Sequence, residues 1–293
     1  MPELPEVQTI VSQLNNEVLN RTFVDVWSDH KKMVKGKGYS DLAKKIKGEK
    51  ILQVVRRAKN IIFLLTHKKA ILIHQKMTGH LMIGKWAEKN KKWVSQISGP
   101  LADDKMNQYI HFLFFLDDKR QIALSDLRKF AKVVMFENIQ KVEDIKELET
   151  TGPEPLDPKF LLSDWKGLFA KKKRGKIKQV LMDPSFVAGI GNIYSDEMLW
   201  SCKVNPFQDI SNLKPKEIEC LYQEGKRILQ QAVDLRGESF SDFRDLYGRM
   251  GEFDTEKQAY GRAKQPCSRC KTIMIKKKIG ARSTSYCPKC QAL

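Results

Sequence analysis

Two groups of residues in this sequence could do chemistry. The first is its start, Met1-Pro2-Glu3-Leu4-Pro5-Glu6-Val7. Removal of Met1 would leave Pro2 as a secondary amine, a nucleophile that can form a charged iminium with an aldehyde-like carbon, as lysine does in Schiff-base catalysis. An α-amino group titrates near neutrality, far below lysine, so the amine needs no special tuning to be substantially unprotonated. Glu3 and Glu6 follow on what reads as the first turn of a helix. Taken alone, the heptapeptide is also simply a good helix start, because proline suits the first turn and acids suit the N-terminal dipole. The second group is Cys267-x-x-Cys270 and Cys287-x-x-Cys290, with residues 271–286 between the pairs. Each pair can turn two sulfurs toward one tetrahedral ion, and this spacing is that of a four-thiolate zinc site. No histidine lies in the segment, so Cys267, Cys270, Cys287 and Cys290 form the whole ligand set, and one Zn2+ would be structural. Disulfides are the competing use, disfavoured in a long lysine-rich chain without a secretion signal. Cys202 and Cys220 sit in helical patterns and read as inert core cysteines.

The elements that must position these groups have an unusual charge background. Among 293 residues, 53 Lys+Arg stand against 35 Asp+Glu, a net charge of +18. Such an excess suits a polyanion, because neutralising phosphates releases counterions and gives sequence-independent affinity. A membrane surface could use the same charge. However, no apolar run approaches the roughly 18 residues of a span, and no charged-then-apolar signal segment opens the chain. Nucleic acid is the favoured partner, and charge does not choose DNA over RNA.

Residues 3–19 place Val7, Ile10, Val11, Leu14 and Val18 on one helical stripe. Short β-branched and aromatic runs at 23–27, 51–55, 61–65, 70–74, 81–83, 110–116, 121–124 and 132–136 predict eight strands and a β-sandwich. Residues 85–104 read as a polar loop and 138–150 as a charged helix. Thr151-Gly152-Pro153-Glu154-Pro155 breaks the chain. Helical patterns fill 158–235, interrupted by a tight turn at Gly189-Ile190-Gly191-Asn192, and 236–262 reads as a long, partly mobile loop. The expected class is α+β: an N-terminal β-sandwich flanked by helices, a helical domain, and a C-terminal four-cysteine zinc-finger β-hairpin. The expected boundaries are 1–137 for the catalytic domain, 138–155 for a linker, 156–240 for the helical DNA-binding domain, and 241–293 for a capping loop with the zinc finger.

Six motifs then fall in a telling order. Pro2-Glu3-Leu4-Pro5-Glu6-Val7 is followed by Arg57-Ala58-Lys59, His74-Gln75-Lys76-Met77-Thr78-Gly79 and Asp126-Leu127-Arg128-Lys129-Phe130. Ala188-Gly189-Ile190-Gly191-Asn192-Ile193-Tyr194 and Tyr260-Gly261-Arg262 complete the set. Over nearly its whole length the chain resembles the MutM-type formamidopyrimidine-DNA glycosylases of the Fpg/Nei superfamily. Leu4 favours this branch over the Nei branch.

The resemblance implies a bifunctional DNA glycosylase and AP lyase that excises oxidised purines, such as 8-oxoguanine and formamidopyrimidines, in base excision repair. Pro2 would attack C1′ of the damaged nucleotide and displace the base, leaving an iminium. The iminium acidifies the C2′ proton, so β-elimination of the 3′ phosphate and δ-elimination of the 5′ phosphate follow. Glu3 would act at the sugar O4′ as acid/base, Glu6 would orient the amine or a water, and Lys59 joins this catalytic set while gripping the backbone. Glu6 could equally serve only the helix dipole. Met77, Arg128 and Phe130 would fill the void left by the extruded nucleotide. From composition alone, Met77 and Phe130 read as core residues. His74, Asn192, Tyr260, Lys276 and Arg282 match positions that hold phosphates. Asn192 sits where a turn feeds a helix of the implied helix–two-turn–helix element. The run Lys171-Lys172-Lys173-Arg174 reads as a solvated helix face.

The implied partner is double-stranded DNA carrying oxidised bases or abasic sites, bound by a monomer in a cytoplasmic, nucleoid-associated location. Two departures stand out. Ala131 replaces a usual glycine, which matters if the site needs positive φ. Leu246-Tyr247-Gly248-Arg249-Met250-Gly251 also differs from the usual loop, in the region that closes over the flipped base in this family. Two alternatives remain: a Nei-like glycosylase for oxidised pyrimidines, and a non-catalytic binder of damaged DNA. Retention of Met1 would leave an amide where the nucleophile is needed.

Overall fold

Residues 1–239 and 242–293 are described by the computed structural model. Helix α1 (Leu4–Val18) carries Val7, Ile10, Val11, Leu14 and Val18 on its buried face, as its period requires. After β1 (Phe23–Ser28), β2 (Val34–Lys35) and α2 (Tyr39–Ile46) come β3 (Ile51–Arg57), β4 (Asn60–Leu65), β5 (Lys69–His74) and β6 (Gly79–Gly84). Strands β7 (Trp86–Lys89) and β8 (Lys92–Ser95) and the short α3 (Pro100–Asp103) precede β9 (Ile110–Leu116), β10 (Gln121–Asp126) and β11 (Lys132–Glu137). One sheet runs β1-β9-β10-β6 and the other β2-β11-β5-β4-β3. The inward residues of both, such as Phe112, Phe114, Phe63 and Ile73, share one core with α1 and α2.

Several strands are apolar on both faces, and two segments explain why. Residues 85–104 are not a polar loop. Trp86–Lys89 and Lys92–Ser95 pair as a hairpin turned by Asn90 and Lys91, both with positive φ. With Trp86, Trp93 and Leu101 it covers the outer face of the first sheet over Met82, Leu113 and Ala123. Likewise residues 138–150 form no α-helix. They make two 3-10 turns that lay Ile139, Ile145 and Leu148 over Ile62, Ala70 and Leu72 on the outer face of the second sheet. Asp144 accepts from the amides of Gln140 and Lys141, bonds that favour a turn over a helix. At the free edge of that sheet, Asn15 of α1 donates to the Val54 carbonyl and accepts from the Val54 amide.

The chain divides into two compact units, residues 1–149 with 235–252, and residues 150–234 with 253–293. The expected boundary at 240/241 lies outside the described residues. The segment read above as one mobile loop is thus divided, 253–262 going to the second unit, and residues 242–252 are firmly fastened in the first. The fully buried Asp245 accepts from the amides of Tyr247 and Arg249 and from the Gln13 side chain. The Leu246 amide donates to Gln13, its carbonyl accepts from the Ile83 amide, and the Tyr247 hydroxyl donates to Glu17. A Cβ on Gly248, at φ +77, would meet Asn107 Nδ2 at 2.5 Å, so this turn needs glycine.

In the second unit, α4 (Leu162–Lys171), α5 (Ile177–Met182), α6 (Asn192–Ser201) and α7 (Pro215–Asp234) pack around Phe160, Trp165, Phe169, Phe186 and Tyr222. Cys202 and Cys220 are not inert thiols. They form a disulfide with Cα atoms 5.7 Å apart, joining the end of α6 to α7. Helical periodicity placed both in the interior but could not show that two helices would bring them face to face. A hairpin of β12 (Ile275–Ile279) and β13 (Arg282–Tyr286) completes the unit. No helix among the described residues is long and apolar enough to cross a membrane.

His80 on β6 is fully buried, with Nε2 bonded to Asn107 Oδ1 at 2.9 Å and Nδ1 unpartnered. Burial pushes it down to about 4, with Arg244 adding to the effect against the Asn107 bond. A folded-state value below the unfolded one gives stability that is complete above about pH 6.5 and lost as pH falls toward 4. Acidification from pH 6.5 to 5 should therefore cost about 2 kcal/mol through this group. Urea titrations across that range should show a smaller loss for His80→Gln than for the parent. Equal slopes would rule out His80 as the source.

Candidate active site and DNA interface

The N-terminus is held by a carboxylate clamp. Glu3 and Glu6 are both buried, at 2% and 1% exposure, where unpaired acids are rarely found. Glu6 Oε2 accepts the Glu3 amide at 2.7 Å, closing the first turn of α1, and Oε1 accepts the Glu238 amide at 2.8 Å. Gly237, at φ +79, makes the approach possible, since a Cβ there would lie 2.6 Å from Glu6 Oε1. Pro2 is buried beside this clamp and Met1 is exposed. The arrangement fixes where the residue-2 nitrogen lies.

The same unit holds three sharp turns, each with one non-glycine residue at positive φ: Ala58, Lys76 and Lys129. Such backbone costs energy and persists where the surroundings impose it. The first turn links β3 to β4 and carries Lys59. Arg56 fastens it to α1, donating through Nε to Gln8 Oε1 at 2.9 Å and through Nη1 to the Ala58 carbonyl at 3.1 Å. The turn that carries Lys59 is thus tied to the helix that Glu3 and Glu6 begin.

The second turn follows β5. His74 Nδ1 accepts the Lys76 amide at 3.0 Å. Burial, then the charges of Lys76, Lys59 and Lys132, push His74 down to about 4. The ring is therefore neutral at physiological pH with its proton on Nε2, a hydrogen-bond donor that carries no charge. Met77 is half-buried at this turn. Gln75, not singled out from sequence, is 1% exposed with both amide atoms unpartnered, leaving a donor and an acceptor for a water or a substrate.

The third turn follows β10. The fully buried Asp126 accepts the Thr78 hydroxyl and the Arg128 amide on Oδ1, and the Ala131 amide at 2.7 Å on Oδ2. One carboxylate therefore joins the Met77 turn to the Arg128–Phe130 turn. Phe130 is 52% exposed, which excludes the core reading, and the Arg128 guanidinium stacks on its ring at 4.5 Å. Ala131 does not have positive φ, so the missing glycine costs no strain.

The second unit gathers the other candidates. Asn192 is the first residue of α6, with Gly191 before it, and its Oδ1 is buried without a partner. Lys276 and Arg282 are exposed on the hairpin, and Tyr260 is half-buried with Lys257 Nζ over its ring at 5.4 Å. In the basic run, Lys172 pairs with Asp183 at 3.0 Å.

The four cysteines have their sulfurs within 4.8 Å of one another. Zn–S bonds of about 2.3 Å place tetrahedral sulfurs about 3.8 Å apart, so the cluster fits the ion without rearrangement. Burial and the neighbouring sulfurs push Cys290 up to about 12. A divalent cation relieves that repulsion, and with four thiolates no position is left open for a water nucleophile. From this knuckle Arg269 stacks on Trp200 at 3.7 Å and donates to the Trp200 and Ser201 carbonyls, capping the C-terminus of α6.

This combination of β-sandwich, helical unit and four-cysteine hairpin matches known proteins throughout. Residues 1–133 match the formamidopyrimidine-DNA glycosylase N-terminal domain, 151–244 its H2TH domain, and 264–293 the zinc finger found in FPG and IleRS. The formamidopyrimidine-DNA glycosylase of Herpetosiphon aurantiacus is 34% identical over 293 residues, covering 100% of both chains, and that of Streptococcus mutans is 34% identical with 99% of each covered. Among solved structures, MutM in complex with carbocyclic 8-oxo-G containing DNA superposes with a TM-score of 0.85 at 28% identity over 100% of both chains. The complex of Lactococcus lactis Fpg with abasic-site DNA gives 0.86 at 28% identity, covering 99% of this chain and 100% of that one. The chain belongs to the formamidopyrimidine-DNA glycosylase family. It is a DNA-binding repair enzyme with a zinc finger.

Two outcomes check this geometry. Asp126→Asn offers three donors a single oxygen and an opposed NH2 group, and should cost about 2 kcal/mol in urea denaturation, against under about 0.5 for the exposed Leu127→Ala. Comparable losses would show that Asp126 does not hold the turns. Stripping zinc with a strong chelator should unfold the 264–293 segment, seen as loss of amide-exchange protection there, while residues 1–149 keep theirs. Unchanged protection at 264–293 would make the ion dispensable.

Proposed function

We propose that the chain is a bifunctional glycosylase and AP lyase that excises oxidised purines from duplex DNA through the amine of Pro2. The observation that carries this reading is the Glu3–Glu6 clamp, which seats the residue-2 nitrogen against a buried acid with Lys59 held beside α1. Removal of Met1 frees the amine. Pro2 then attacks C1′, the bond from C1′ to the base breaks, and the departing base takes a proton. Glu3 assists ring opening at O4′, and loss of the C2′ proton expels the 3′ phosphate, after which the 5′ phosphate leaves. Both Glu6 oxygens accept backbone N–H groups, so Glu6 orients the terminus. Met77, Arg128 and Phe130 occupy the space of the extruded nucleotide, the guanidinium already stacked on Phe130. His74, Asn192, Tyr260, Lys276 and Arg282 bind phosphates, His74 as a neutral donor.

The solved neighbours hold DNA containing carbocyclic 8-oxo-G, Fapy-dG or an abasic site, which supports oxidised purines as the substrate class here. Such an enzyme works where the chromosome is, in the cytoplasm. Borohydride should trap a covalent complex between protein lacking Met1 and an 8-oxoguanine duplex. Pro2→Gly should reduce trapping at least about 10²-fold, the order expected when a positioned reacting group is lost. An intact-mass measurement should first establish that Met1 is absent from the sample. Processed protein that cleaves but never traps would overturn the proline route, and preferential release of thymine glycol would move the substrate to pyrimidines.

A further inference from the structure

Two adjacent acids on α6, Asp196 and Glu197, are used by none of the roles above. Both are buried, at 2% and 3% exposure, and neighbouring residues on a helix diverge by about 100°, so they reach different elements. Asp196 Oδ1 accepts Lys178 Nζ at 2.6 Å and the Thr284 hydroxyl, and Oδ2 accepts the Ser285 amide at 3.0 Å. Lys178, fully buried, also donates to the Asn192 carbonyl at 2.7 Å. This one ion pair ties the start of α6, α5 and β13, whose first residue is Arg282. Glu197 Oε2 accepts the Gln258 amide at 2.8 Å, and Oε1 accepts the amides of Ala259 and Tyr260 at 3.0 and 2.8 Å. Three successive backbone N–H groups thus close on a carboxylate, as backbone nests close on anions. The residue so fixed is Tyr260.

We infer that Asp196 and Glu197 are positioning residues that set, from one helix, the spacing between Asn192, Tyr260 and Arg282, and so match the second unit to successive phosphates of the DNA strand. The inference rests on the proposed phosphate roles of those three residues. Burying two charges is costly, and a structural purpose alone could be met by apolar packing. What the carboxylates add is a fixed length: their hydrogen bonds hold a backbone amide or a strand at one distance from α6. Phosphates recur along a strand at fixed intervals, so an error in that spacing loses contacts in whole units.

Double-mutant cycles on the full-length zinc-loaded protein test this, using a duplex with a stable abasic analogue and affinity measured across potassium chloride concentrations. Tyr260→Phe and Arg282→Ala should each weaken binding, and Arg282→Ala should lower the salt slope by about one. If neither weakens binding, the phosphate reading itself fails. Given that they do, Glu197→Gln should weaken binding in the parent but add little in Tyr260→Phe. Asp196→Asn should lower the salt slope in the parent and leave it unchanged in Arg282→Ala. A purely structural role would change Tm and zinc content without this pairing. Additive effects in both cycles, with the parent salt slope retained, overturn the inference. Should Asp196→Asn release zinc, Thr284→Val removes a single hydroxyl donor and runs the same cycle against Arg282→Ala, with the same two readings.

Discussion

The bond from the Glu3 amide to Glu6 Oε2 is the constraint from which the rest of the first unit takes its purpose. A chain terminus is ordinarily the loosest part of a protein, and a nucleophile placed there would lose by disorder what it gained by reactivity. Here the terminus enters a helix at once, and the acid that closes the first turn also grips residue 238. Long-range and local order are secured by one side chain. The 245–249 turn, fastened to Gln13 and Glu17 farther along the same helix, steadies α1 from a second point.

A common device runs through both units. In a chain with +18 net charge, a handful of acids work inside. Glu6, Asp126, Asp245 and Glu197 each accept at least two backbone N–H groups, Asp126 and Asp245 taking side-chain donors as well, whereas Asp196 faces the buried ammonium of Lys178. A carboxylate that accepts several amides fixes a turn more tightly than apolar packing does, because its bonds are directional and charge-assisted. Withdrawing acids from the surface also leaves the exposed lysines and arginines unneutralised, which strengthens the field felt by a polyanion.

Much of this was legible in the sequence. The stripe of α1, the eight expected strands, the break at 151–155 and the four-cysteine cluster all appear in the folded chain, since period and spacing alone carry them. Three of the misreadings have one cause each. Residues 85–104 lacked the alternation of a strand pair because their apolar residues, Trp86, Trp93 and Leu101, serve a face built by distant strands. Residues 138–150 carried enough charge for a surface helix, but their pattern answers to the sheet beneath. Cys202 and Cys220 read as core cysteines by periodicity, yet both are only half-buried, and their pairing depends on how two helices pack. Motif order picked out Lys59, His74, Met77, Arg128 and Phe130 as candidates. The part of Asp126 in joining the Met77 and Arg128 turns was hidden, because a buried Asp that accepts backbone amides looks in sequence like any loop Asp.

Asn15 gives the sheet an end. The amide and carbonyl of Val54 on the outermost strand β3 would otherwise stand open, and a strand from another chain could add there. A basic protein concentrated along DNA is crowded against copies of itself, with its charge repulsion screened by the phosphates. Under those conditions a bare edge is an invitation to polymerise. By filling both hydrogen-bonding positions of Val54 with a side chain from its own first helix, the molecule makes the helix that holds its N-terminus also the stopper that keeps neighbouring copies apart.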